Sequence, residues 1–224
     1  MITDDPGTPG DKKWEINLVW TTERVDGSTS MGLPLLDANY GIGDRTELTY
    51  EAPWANVSDE KGSRYGMGNS LFGLKYRFYD SGEKDWQASV YPQYTFLTPG
   101  THSDRRGLAD SGSTLLVPVE VAKDFETYVV NFDAGHVFSS KSGGDQWMAG
   151  ALVGKELKKG WEVDLELHAT TSNQLDHAEW ILNAGTRIDL SESATLMIAV
   201  GRDLSNGLDE KVSLMTYLGI QLRL

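Results

Sequence analysis

The stretch Trp161-Glu162-Val163-Asp164-Leu165-Glu166-Leu167-His168-Ala169 decides the fold. Trp161, Val163, Leu165, Leu167 and Ala169 fall on one face of an extended chain, and Glu162, Asp164, Glu166 and His168 on the other. Successive strand side chains point to opposite faces, so this is a strand with one apolar and one polar side. The C-terminus repeats the pattern. Val212, Leu214, Thr216, Leu218, Ile220, Leu222 and Leu224 alternate with Ser213, Tyr217, Gly219, Gln221 and Arg223. So do Trp86, Ala88, Val90, Pro92, Tyr94 and Phe96 with Gln87, Ser89, Tyr91, Gln93 and Thr95.

Extended along the chain, this period gives twelve strands, at 13–25, 33–41, 44–55, 69–79, 85–97, 113–123, 127–138, 146–157, 160–171, 178–190, 193–203 and 211–224. Most hold 11 residues or more. Strands of globular proteins usually hold about 5–6, whereas a tilted strand crossing a bilayer needs about 9–11. The connections point the same way. Short ones (Ile42-Gly43, Asp80 to Lys84, Asp124 to Glu126, Lys158-Lys159, Ser191-Glu192) alternate with long ones. The long set is Asp26 to Gly32, Asn56 to Gly68, Thr98 to Gly112, Ser139 to Asp145, Ser172 to His177 and Leu204 to Glu210. Outer-membrane barrels have short periplasmic turns and longer external loops. The expected fold is therefore all-β: a single antiparallel up-and-down transmembrane β-barrel of about twelve strands, with both termini on the periplasmic side.

Tryptophan positions agree. Trp14, Trp86 and Trp161 fall at the inner strand ends, and Trp54, Trp147 and Trp180 at the outer ends. Amphipathic aromatics gather at the two membrane–water interfaces. Trp20 sits deeper than either ring. Pro34, Pro53, Pro92 and Pro118 count against regular strands, because proline removes a ladder donor; each is expected at a bulge or strand end. The second strand, with Leu33-Pro34-Leu35-Leu36-Asp37, alternates poorly, and the eighth is apolar or small on both faces.

Composition excludes several classes. The chain has 224 residues, a length that allows one domain or a small pair, with 33 acidic and 20 basic side chains and a net charge of −13. A nucleic-acid partner, which needs a basic footprint, is not expected. There is no cysteine, hence no disulfide, thiolate zinc site or thiol nucleophile. The four histidines, His102, His136, His168 and His177, form no metal-binding pair motif. No metal and no cofactor are expected. No apolar run of 18 residues exists, so no spanning helix is expected; a barrel averages out as mildly polar, as the mean hydropathy of −0.37 does. Residues 1–12 lack a charged n-region and an apolar h-region, so they are no signal peptide. They are read as a periplasmic lead-in to a barrel over 13–224. Either the chain is cytosolic or a signal has been removed, and the strands favour removal.

A family resemblance adds to this reading. Asp4-Asp5-Pro6-Gly7-Thr8-Pro9-Gly10 followed by Trp14-Glu15-Ile16-Asn17 resembles the mature start of a family of bacterial outer-membrane transporters associated with phenol meta-cleavage pathways. Tyr40-Gly41-Ile42-Gly43-Asp44-Arg45, Glu51-Ala52-Pro53-Trp54 and Gly73-Leu74-Lys75-Tyr76-Arg77-Phe78 resemble it too. The likeness is sharpest over residues 1–100. It implies an outer-membrane barrel in a Gram-negative envelope, a cleaved signal, and passive uptake of small solutes, aromatic compounds among them. It carries no catalytic or binding residues. Leu224 stands where the wider barrel class often has an aromatic.

With the apolar face against membrane lipid, the polar face lines a lumen. The inward acids are Glu15, Glu47, Glu51, Glu120, Asp133, Glu162, Asp164, Glu166 and Asp189; the inward bases are Lys75, Arg77, Arg187 and Arg223, nine against four. Glu47 and Glu51 are expected beside Lys75 and Arg77, Asp164 beside Arg187, and Glu15 beside Arg223 at the barrel closure. Such pairs satisfy buried charge, and the acidic excess favours cations. His168 is expected in the lumen among them. No Ser–His pair stands two apart on one strand face, so no enzyme is expected. The loop Thr98 to Gly112 is either a solvated cap or a gate. Asp59-Glu60 and Asp209-Glu210 are weak calcium signals. The expected function is a porin-like channel. A soluble lipocalin-like barrel with eight strands and a greasy interior, and a plugged structural barrel without conductance, remain open beside it.

Overall fold

The computed structural model describes residues 1–82, 85–175, 178–205 and 211–224. The strands are β1 (Trp14–Val25), β2 (Ser28–Ile42), β3 (Thr46–Asp59), β4 (Gly62–Met67), β5 (Asn69–Asp80), β6 (Trp86–Val90), β7 (Gln93–Leu97), β8 (Thr114–Asp124), β9 (Tyr128–Ser139), β10 (Gln146–Lys158), β11 (Trp161–Ser172), β12 (Ala178–Ser191), β13 (Ala194–Asp203) and β14 (Val212–Arg223). Every pairing is antiparallel, and β14 pairs with β1 to close the sheet. β4 and β5 succeed each other along β3, and β6 and β7 succeed each other between β5 and β8. The fourteen segments therefore make a closed, twelve-stranded, up-and-down barrel. Closure matters physically: in hydrocarbon every ladder group must be paired within the protein, and a closed sheet has no edge.

β11 shows why this sequence makes a membrane barrel. Its carboxylates are the buried groups, Asp164 at 7% exposure and Glu166 at 0%, while Leu165 is 55% exposed and Leu167 39%. A soluble barrel has the reverse arrangement. The same inversion holds around the barrel, where Val119 of β8, Phe132 of β9, Val153 of β10, Ile198 of β13 and Leu218 of β14 face outward. A continuous apolar wall of this extent is stable against lipid and not against water. The lipocalin-like alternative, with its eight strands and apolar interior, is excluded by strand number and by the facing of these residues.

Trp14, Trp86 and Trp161 ring the end of the barrel that carries the chain termini, and Trp54, Trp147 and Trp180 ring the opposite end. All but Trp161 are 44–48% exposed. The Trp161 indole N–H donates to Thr186 Oγ1 at 2.9 Å, and the Lys158 ammonium lies 5.1 Å from its ring centroid. Trp20 faces outward between the rings.

Two of the expected long connections are corrected. β1 and β2 are joined by Asp26-Gly27 alone, with Gly27 at φ 74°, and β3 and β4 by Glu60-Lys61. The strands run on past the aromatic ring instead of breaking into loops. There both faces meet water, so Ser28-Thr29-Ser30, Asn56-Val57-Ser58 and Gly62-Ser63-Arg64 show no alternation to read. The prolines are also clarified. The register shifts at Pro34, with Pro53 opposite the shift, and Pro92 falls in the break between β6 and β7. Pro118 makes no bulge with β9: the ladder runs through it opposite Gly135, where a Cβ would lie 2.7 Å from Pro118 Cα. On its other side, β8 changes partner from β7 to β6 at this same point, so its missing donor leaves little unpaired.

Residues 1–12, read as a lead-in outside the barrel, take a different path. They turn back from β1 into the interior. The Lys12 amide donates to the Gly41 carbonyl at 2.9 Å, and the Thr8 hydroxyl to the Asp44 carbonyl at 3.0 Å. Thr3 and Pro6 are buried.

Candidate functional site

The barrel interior is the candidate site. Glu15 is held by β1, Glu47 and Glu51 by β3, Lys75 and Arg77 by β5, Glu120 by β8 and Asp133 by β9. Glu162, Asp164, Glu166 and His168 come from β11, Arg187 and Asp189 from β12, and Arg223 from β14. All stand on the inward parity of their strands. Glu47, Lys75, Glu120, Asp133, Asp164, Glu166 and His168 are buried, whereas Asp189 and Arg223 lie at the terminal rim.

Lys75 is the hub. Its ammonium lies 2.9 Å from Asp4 Oδ2 and 3.6 Å from Glu120 Oε2, donates to the Asp5 carbonyl at 2.6 Å, and sits 4.6 Å from the Tyr91 ring centroid. Glu120 also accepts from the Ser89 hydroxyl at 2.5 Å. A second anchor is Glu166. Its carboxylate accepts from the Ile2 amide at 2.8 Å, from the Thr3 amide, and from Asn183 Nδ2 at 2.6 Å. The N-terminal segment is thus pinned across the lumen by one ion pair and one carboxylate. Glycines make room for it. A Cβ at Gly150 would lie 2.2 Å from Thr3 Oγ1, and one at Gly41 would lie 1.9 Å from the Gly10 carbonyl oxygen.

The expected ion pairs are partly redrawn. Glu47 stands opposite Lys75 in the register, but the ammonium turns to Asp4 and Glu120. Glu51 lies farther along, opposite Leu71. Arg77 pairs with Asp80 at 3.2 Å and donates to the Asp44 carbonyl at 2.6 Å. Arg187 stands opposite Glu162, while Asp164 stands opposite Gly185; the guanidinium donates to Gln221 Oε1 at 3.3 Å. Glu15 and Arg223 are register partners at the closure, but the guanidinium reaches Asp189 at 3.7 Å and Thr195 Oγ1 at 2.8 Å. Long side chains choose diagonal partners that register alone does not specify.

Several site residues escaped the sequence reading. Asp4 and Asp5 lie in a segment without period. Asp37 lies in the poorly alternating second strand; Asn17 Nδ2 and Asn39 Nδ2 donate to it at 2.8 and 3.0 Å. Tyr91 donates to Thr49 Oγ1 at 2.7 Å and Thr49 to Asn39 Oδ1 at 2.8 Å, a relay across the interior that the period of their strands could have shown.

A cavity of about 790 Å³ remains beside the segment. Its lining includes ten carboxylate residues, from Asp4 and Asp5 through Glu51 to Glu162 and Asp164, against Lys75 and Arg187. A smaller cavity of about 270 Å³ at the terminal rim is bounded by Glu156, Glu162, Arg187, Asp189 and Arg223.

The loop after β7 is real and carries a short 3₁₀ turn, Asp104–Arg106. Leu108 is buried; it and Arg106 approach Gly66 of β4, and Arg106 donates to the Tyr65 carbonyl at 2.7 Å. The loop covers the outer edge of β4, and among the described residues none from 98–112 lines the larger cavity. The Asp59 carboxylate, one of the weak calcium signals, accepts from Arg64 at 3.0 and 2.6 Å and from the Lys61 amide at 2.8 Å. The neighbouring guanidinium holds the Asp59 carboxyl down to about 2. Asp209, Glu210 and His177 lie outside the described residues. His102 is in the covering loop. His136 packs tilted against Phe138 and edge-on to Trp147 in the aromatic ring, with centroids 4.4 and 4.5 Å away.

No known protein family matches the sequence, and no curated protein matches it. Solved structures do match in shape. The COG4313 outer membrane channel from Pseudomonas putida F1 superposes with a TM-score of 0.83 at 14% identity, over 100% of both chains. The NanC porin matches at 0.68 and 8% identity, over 93% of this chain and 100% of its own. The KdgM porin matches at 0.62 and 11% identity, over 92% of this chain and 98% of its own. The CymD monoaromatic hydrocarbon channel matches at 0.50 and 10% identity, over 95% and 89%. At these identities the likeness is one of fold.

Proposed function

We propose that the protein is a passive channel of the bacterial outer membrane for small solutes, aromatic compounds among them. The observation that carries this reading is the polar cavity of about 790 Å³ inside a wall that is apolar outside. A barrel that only anchored itself in lipid would have no need of so many inward charges, each costly to desolvate. The structures it resembles, described as channels and porins, support the same class and the same membrane. The aromatic part rests on the resemblance of residues 1–100 to the phenol-pathway family and on the description of CymD. The excess of lining carboxylates makes the channel mildly cation-preferring, since a local negative potential concentrates cations and excludes anions.

One observation favours the plugged barrel: the N-terminal segment crosses the interior and is tied to Lys75 and Glu166. In the channel reading the segment is a constriction that sets a small conductance. Single-channel recording in planar bilayers separates the two. A channel gives discrete steps that grow when residues 1–8 are deleted. A plugged structural barrel gives none.

A further inference from the structure

Glu166 is fully buried in the lumen wall, and two N–H donors from one short stretch converge on its carboxylate. The Ile2 amide bridges Oε1 and Oε2 at 2.8 and 3.1 Å, and the Thr3 amide reaches Oε1. This is the pattern of a donor fork on a carboxylate, which planar amidinium and guanidinium groups also present. The donors here are neutral, so they hydrogen-bond the charge without cancelling it.

The surroundings are unsatisfied in the same sense. Asp133, Asp164 and His168 are each more than nine-tenths buried, and Asp133 Oδ1, Asp164 Oδ1 and His168 Nε2 have no hydrogen-bond partner among the described residues. Buried polar atoms in folded proteins nearly always find partners. Gly150 stands between Asp133 and His168 in the register and leaves the space that Thr3 fills. The inward side chains around these polar atoms, of which the two carboxylate oxygens are acceptors, include Leu152, opposite Glu166, and Ile181, opposite His168, both buried and apolar. The lumen wall thus offers a carboxylate fork site with further free acceptors and hydrocarbon sides.

We propose that Glu166 is the centre of a binding subsite for organic cations with a planar N–H fork on an apolar body, and that residues 2 and 3 occupy it in cis. The inference deepens the channel reading, on which it rests for its physiological sense, by naming a class of solute. An arriving amidinium or guanidinium matches the two-donor geometry and adds the positive charge that backbone amides lack.

Calorimetric titration of the full chain in detergent micelles with benzamidinium tests this. Benzamide and benzoate serve as neutral and anionic controls. Ile2→Pro with Thr3→Pro removes both N–H donors while keeping the chain length. That variant is expected to bind benzamidinium at least tenfold more tightly than the parent. Adding Glu166→Gln is expected to cancel the gain, and the controls are expected to stay weak throughout. A variant lacking residues 1–8 carries the same expectation if the prolines upset folding. Binding that is equal with Gln at position 166, binding of benzamide as tight as that of benzamidinium, or no tightening in either freed variant overturns the proposal. The readout needs no conductance. A protein that binds but never conducts contradicts the channel alone, and one that conducts but does not bind contradicts this subsite alone.

Discussion

Lys75 and Asp4 form an ion pair of 2.9 Å inside the barrel, between a strand residue and a segment 71 positions earlier in the chain. The lysine side chain is only 4% exposed, and its other partner, Glu120, is 1% exposed. Removing one member of a buried pair leaves an uncompensated charge and costs about 3–5 kcal/mol. Lys75→Met is therefore expected to destabilise the barrel by that amount in urea titrations from lipid vesicles. Combining it with Asp4→Asn and Glu120→Gln should recover most of the loss. Equal stability of the single and triple variants would contradict the assignment of Lys75 as hub.

The two faces of β11 give a sharper contrast. Leu165 is 55% exposed on the lipid wall and Asp164 is its buried inward neighbour. Leu165→Arg is expected to cost about 2–4 kcal/mol near the bilayer midplane. Asp164→Asn keeps the shape and removes one of several crowded acids, so it should cost much less. Comparable losses in folding into bilayers would reverse the assignment of faces.

The extent to which the sequence shows all this follows from where water is. Within the bilayer one face of each strand meets lipid and the other a polar interior, so Trp161 to Ala169 spells out its own orientation. Beyond the aromatic ring both faces are wet, and Ser28-Thr29-Ser30 and Asn56-Val57-Ser58 look like loop although they are strand. The interior was legible as a set of inward charges but not as a set of pairs. Arg223 faces Glu15 in the register and reaches Asp189 instead. The N-terminal segment was not legible at all. Residues 2–9 have no period, and their partners, from Asp44 through Lys75 to Glu166, lie 36 to 164 positions away.

The hairpin of β3 and β4 carries its own pH response. Arg64 holds the Asp59 carboxyl down to about 2, against an ordinary 3.8. A depressed carboxyl contributes stability above its ordinary range and loses it as pH falls through the folded value. Protection of the hairpin amides from hydrogen exchange should fall between pH 4 and pH 2, and fall less at high salt because the pair is only half-buried and salt screens it. Asp59→Asn should flatten the response. Protection that stays level in the parent down to pH 2 would contradict it.

Topology is open to a protease. Arg105 and Arg106 are exposed in the loop between β7 and β8, whereas Arg45 and Lys159 sit in or beside the turns at the terminal end. Trypsin added to intact cells is expected to cut at Arg105 or Arg106 and to spare Arg45 and Lys159. Cleavage confined to the terminal end would invert the barrel in the membrane.

The most direct test of the central claim is the reversal potential of single channels in a salt gradient, recorded for the parent and for a variant lacking residues 1–8. Ten carboxylate residues against Lys75 and Arg187 line the cavity. Their field is screened over about 10 Å at 0.1 M salt. The account predicts a small conductance with mild cation preference that fades as salt rises, and a larger conductance once the segment is gone. Glu51→Gln with Glu162→Gln should move the reversal potential toward the non-selective value. Anion selectivity, or the absence of conductance from both proteins at every salt concentration, would contradict it.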